Sequence, residues 1–167
     1  MNLFYNVNAF VGHMEIYQFV NGCLAMENAV ASIYSNFMQL FPEEKDFWED
    51  LYNDEQKHAS FLIEATNQGL FEEIKTEDLP LSIPLFDRTR KFVENVMNQI
   101  KFNPLSLEEA LKIALKLEET MVETFTNYLI ANLSPNRKAI LEMLTEERNH
   151  IDKIKEMMIK KGFSKLS

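Results

Sequence analysis

Two copies of a Glu-x-x-His tetrad, Glu55/His58 and Glu147/His150, constrain this chain more than any other feature of its 167 residues. Residues three apart share a helical face, and in both places that face is otherwise apolar. Trp48, Leu51, Leu62 and Ala65 run in register with the first tetrad, and Ile140, Leu144, Ile151 and Ile154 with the second. The chain holds one further histidine, His13, which has no carboxylate at ligand spacing and reads as a surface or end-of-bundle residue. A fold that buries both stripes must also bury two acids and two imidazoles and provide for them.

The rest of the chain favours long helices, because Gly 4 and Pro 5 are few for this length. A 3.6-residue period predicts a first helix over about 14–41, with Val20, Leu24, Ala31, Tyr34, Met38 and Phe41 on its apolar stripe. Pro42 ends it, and acidic Glu43 and Glu44 suit the start of a second helix, about 43–68, capped by Gly69. Residues 70–105 read as a crossover carrying a short extra helix, about 85–101, between proline breaks. Ser106 and Glu109 form a capping box that opens a third long helix, about 107–133. Ser134-Pro135 then starts a fourth, about 135–161. Short links within each half and a long one between them predict a single all-α domain over 1–167, a four-helix bundle with one crossover.

Each tetrad is preceded by a glutamate on the apolar face of the helix before it. Glu27 interrupts the first stripe, and Glu118 interrupts the third between Ala114 and Met121. Glu119 falls among Lys112, Lys116 and Glu123, the expected solvent side, and is the fallback for Glu118. The separations agree, 28 residues from Glu27 to Glu55 and 29 from Glu118 to Glu147. With a rise of ~1.5 Å per residue, all four acids reach one depth from their turns. Four unpaired carboxylates in an apolar core would be prohibitively costly, and two divalent cations would balance them. Glu27, Glu55, His58, Glu118, Glu147 and His150 are therefore the expected metal ligands, the set that such bundles use for dinuclear iron and manganese sites. Mixed carboxylate and imidazole donors suit those metals better than structural zinc, which usually brings cysteine.

With these residues the chain resembles the ferritin-like superfamily, most closely its rubrerythrin branch, over about 14–162. The resemblance implies Glu27 and Glu118 as terminal ligands, Glu55 and Glu147 as bridging ligands, and one imidazole per metal from His58 and His150. It implies two iron ions, with manganese as the alternative, and redox chemistry on peroxide or O2, often in a homodimer. The chain departs from the branch in two places. Met121 stands where rubrerythrins typically carry an extra glutamate, and Cys23 is the sole cysteine, so there is no four-cysteine rubredoxin module. Electrons are then expected from a separate donor protein.

Tyr34, two turns beyond Glu27, is expected in the core, where its hydroxyl is available to a ligand carboxylate. Phe125 takes the corresponding place after Glu118. A net charge of −9 argues against nucleic acid or an anionic membrane surface as partner. No apolar run reaches the ~20 residues of a membrane span, no basic signal segment precedes the first helix, and the lone cysteine fits the reducing cytoplasm. No nucleophile triad, phosphate loop or nucleotide fingerprint stands in the sequence. Three functions remain: a redox enzyme using peroxide or O2, a ferroxidase handling iron, and a non-catalytic helical interaction module.

Overall fold

A computed structural model of the protein describes the backbone of residues 3–69, 71, 83–103, 105–121 and 138–163. Side chains are described within 17–69, 71, 87–103, 105–120 and 149–163. All regular structure among these residues is helical. The order is α1 (Leu3–Leu40), a 3-10 turn (Pro42–Glu44), α2 (Lys45–Asn67), α3 (Ile83–Phe102), α4 (Leu107–Met121) and α5 (Lys138–Lys160). The predicted link at Ser134-Pro135 and the part of the crossover before α3, residues 72–82, lie outside the described residues. No helix among those described is long and apolar enough to cross a membrane.

Local chemistry accounts for the helix ends. Pro42 at the start of the 3-10 turn cannot continue α1, and Glu43, Glu44 and Asp46 place negative charge at the positive end of the next helix. Behind α2, Gly69 takes φ 68°. At the end of α5, Gly162 takes φ 77°, and the Phe163 N–H reaches back to the Met158 carbonyl, a glycine-dependent C-cap. The capping box at Ser106 is formed in both directions. The Ser106 N–H and hydroxyl donate to Glu109 Oε2 at 2.9 and 2.7 Å, and the Glu109 N–H donates to Ser106 Oγ at 3.3 Å.

One expectation needs correcting: α1 begins at Leu3 rather than near residue 14. Before Met14 the described chain has no proline and only Gly12 as a weak breaker, so nothing stops the helix.

α1 packs against α2 and α3, while α4 packs against α5. Phe37, Trp48, Leu51, Leu111, Leu117 and Ile154 are fully buried in one cluster drawn from α1, α2, α4 and α5. Full burial of each such side chain contributes about 1.5–3 kcal/mol. The same four helices also bury acids and imidazoles. Glu27 lies 13 residues before the end of α1, and His58 lies 13 after the start of α2, so the two face each other at one depth.

Candidate metal centre

Five of the six predicted ligands are buried together. Glu27, Glu55, His58, Glu118 and His150 each expose 2% of their surface or less. They form two clusters, Glu27–Glu55–His58 and Glu55–Glu118–His150, and within each the donor atoms lie within 4.8 Å of one another. Glu55 belongs to both. The sixth predicted ligand, Glu147, is on α5, but its side chain is outside the described residues, as are those of Met121 and His13. Glu119, the fallback for Glu118, is 54% exposed beside Lys155, so the helical phase chosen from sequence is the one that points inward.

In the first cluster His58 Nδ1 stands 3.7 Å from Glu27 Oε2 and 3.9 Å from Glu55 Oε2. In the second, His150 Nδ1 stands 3.4 Å from both Glu55 Oε1 and Glu118 Oε2. The two carboxylate oxygens of Glu55 thus face different imidazoles. The imidazole rings are stacked with centroids 5.5 Å apart. His150 Nδ1 makes no hydrogen bond at these spacings. They lie inside the ~4.2 Å that can separate two donors each ~2.1 Å from one ion.

The surroundings of His150 determine which of its nitrogens faces the cluster. Its Nε2 lies 3.2 Å from Asp54 Oδ2. Lys57 donates to Asp54 Oδ1 at 2.7 Å, and Lys153 to Oδ2 at 3.0 Å. Partial burial alone would raise the Asp54 pKa, but the hydrogen bonds from Lys57 and Lys153, with the charge of Lys153, outweigh it and hold the group at about 2. An ionised Asp54 only accepts hydrogen bonds, so the tautomer of a neutral His150 that suits it carries the proton on Nε2. In that tautomer Nδ1 presents a lone pair to the oxygens of Glu55 and Glu118. Lone pairs converging in a buried space repel unless a cation or protons lie between them.

Glu118 is also held from behind. The Tyr34 hydroxyl donates to Glu118 Oε1, leaving Oε2 directed at His150. Burial, and then the negative charge of Glu118, Glu55 and Glu27, keeps the Tyr34 pKa well above the ordinary tyrosine value. The phenol therefore remains a donor across the physiological range. Tyr34 stacks on Trp48 with centroids 5.8 Å apart, which fixes the ring that carries the hydroxyl.

The donor set fits cations. Neither oxygen of Glu27 nor Nδ1 of His150 receives a hydrogen bond from the described residues, although all three atoms are buried. Orphaned buried acceptors are rare in folded proteins and expensive, and a divalent ion in each cluster would satisfy them. The two buried clusters could hold metal ions. Cys23 is buried but belongs to neither cluster, so the donors are oxygen and nitrogen only.

Asp54 is the residue that sequence reasoning missed. It stands immediately before Glu55, and Glu146 stands in the same place before Glu147. An acid repeated at that position in both tetrads was the available signal. Compared with family models, curated proteins and solved structures, the chain matches none.

Proposed function

We propose that the chain is a dinuclear-metal carboxylate protein of the ferritin-like, four-helix kind. More particularly, we read it as a rubrerythrin-like oxidoreductase that reduces peroxide or O2 with electrons from a separate donor protein. The observation that carries this reading is the pair of buried Glu/His clusters sharing Glu55. The helix order supports the topology: α1 turns directly into α2, α4 packs on α5, and the long stretch between the halves carries α3.

In this reading Glu27, Glu55 and His58 hold one ion, and Glu55, Glu118 and His150 hold the other. Glu147 enters as the second bridging carboxylate implied by its motif. A pair of iron or manganese ions, when bound, supplies the electron-transfer chemistry that these side chains lack. The protein's own contribution is placement. Asp54 holds the Nε2 side of His150, Tyr34 keeps Glu118 turned towards the cluster, and burial of Glu27, Glu55, His58, Glu118 and His150 keeps bulk water away from them.

Elemental analysis of protein expressed with iron and manganese should find about two ions per chain, and Glu55→Ala should lose both, because both positions share that residue. Reduced, loaded protein mixed with peroxide in a stopped-flow instrument should oxidise rapidly, and turnover should need an added donor. Metal-free native protein, or unchanged metal in Glu55→Ala, would reject the site. Slow reaction with peroxide beside fast O2-driven oxidation of excess Fe(II) would replace the peroxidase reading with iron handling.

A further inference from the structure

The crossover helix α3 packs along α1, and the seam between them is filled over only part of its length. Towards the α1–α2 turn, Val30, Ile33, Val93 and Val96 belong to the buried core cluster, and the Asn36 amide stands 3.9 Å from the Met97 sulfur. Nearer the amino terminus α1 presents Gly22, Ala25 and Ala29, which carry at most one side-chain carbon each. There the seam opens into a cavity of about 260 Å³, with Met26 and Val93 as its buried floor. Its walls are almost wholly apolar, and none of the metal-centre residues lines it. Ala25 and Ala29 stand two residues either side of Glu27, so they point about 160° away from it around the helix.

The polar part of the lining is a rim of three exposed residues on α3. Arg90 Nη1 donates to Glu94 Oε1 at 2.7 Å, and Arg90 Nη2 stands 3.6 Å from Asp87 Oδ1. One guanidinium between two carboxylates leaves the rim one net negative charge. Arg88 and Lys91, the other cations of this stretch, do not line the cavity. The whole chain carries −9, so its field adds to that of the rim.

We propose that this cavity binds a small amphipathic amine, a body of about one ring carrying an ammonium group on a short chain. Apolar cavities of ~150 Å³ already take up benzene, so the space here accepts a ring with a substituent. The ring displaces water from the apolar walls, and the ammonium at the mouth stands against Asp87 and Glu94. A carboxylate in its place would meet both acids, and the one guanidinium is already engaged by them. The site is independent of the metal centre and of the chemistry proposed for it.

Full-length protein is titrated with 2-phenylethylammonium, 2-phenylethanol and 3-phenylpropionate, followed by calorimetry and by the methyl NMR signals of Ala25, Met26, Ala29 and Val93. The amine should saturate and shift those signals, binding up to about fivefold more tightly than the alcohol, the scale of one exposed charge pair. The carboxylate should bind more weakly than either. Ala29→Leu, which fills the cavity from α1, should abolish binding of all three probes. Glu94→Gln, at an exposed position, takes the rim to no net charge and should bring amine and alcohol level. Circular dichroism and the melting temperature check the fold of each variant, and Ala25→Leu replaces Ala29→Leu if the latter does not fold. Failure of the amine to saturate, shifts confined to other methyl groups, or undiminished binding in the folded filling variant overturns the site. Equal or tighter binding of alcohol or carboxylate by native protein overturns the assignment to an amine.

Discussion

At the scale of single residues, the most informative side chain is Asp54, which lies outside the two candidate metal clusters and touches one of them through His150. It joins two lysines on the surface to a buried imidazole, accepting from Lys57 and Lys153 and standing 3.2 Å from His150 Nε2. Exposed lysine–carboxylate pairs are individually worth little to stability. Here their effect is on chemistry: they keep Asp54 ionised, which suits the Nε2-protonated tautomer of a neutral His150. Asp54→Asn keeps the size of the side chain but removes the charge, and its amide can turn an N–H towards the ring. Metal affinity, measured by competition with a chromophoric chelator, should fall about 10–100-fold. Unchanged affinity would mean that His150 is held by packing alone.

At the scale of elements, helix ends follow short-range chemistry that acts whether or not the core is complete. The α4 capping box is the clearest case. Hydrogen bonds from the Ser106 N–H and hydroxyl hold the Glu109 pKa below its ordinary value. A folded pKa below the unfolded one means that the stabilisation is fully present above the unfolded value and is lost as pH falls through the folded one. Glu109→Ala should therefore lower the melting temperature at neutral pH. The deficit should narrow as pH falls out of the ordinary glutamate range and through the lowered folded value, where the native carboxyl takes up its proton. Thermal unfolding of both proteins across that range measures the gap, and a gap independent of pH would show that the cap is not electrostatic. The early start of α1 follows the same short-range logic, since a single Gly12 costs a helix only ~1 kcal/mol relative to alanine.

At the scale of the whole molecule, four helices each contribute to the buried acids and imidazoles, so a cation held by those clusters would couple its binding to folding. A divalent ion that binds the folded chain and not the unfolded one stabilises it by about 2.7 kcal/mol per site when present at 100 times its dissociation constant. Added manganese or cobalt should raise the melting temperature, a chelator should reverse the gain, and Glu55→Ala should abolish it. An equal rise in Glu55→Ala would place the stabilising ion elsewhere.

The sequence by itself determined the all-helical class, the helix-end signals at Pro42, Gly69 and Ser106, and the inward phase of Glu27, Glu55, His58, Glu118 and His150. Those properties depend on neighbours within about one turn, where the helical period fixes which residues share a face. Only the tertiary structure decided that Tyr34 serves Glu118 and not Glu27, that Asp54 reaches His150 and not His58, and that the two oxygens of Glu55 divide between the imidazoles. The Tyr34–Glu118 and Asp54–His150 pairs are 84 and 96 residues apart along the chain. Periodicity says which way a side chain points. What it meets there depends on how separate helices are rotated and offset against each other, and packing sets that.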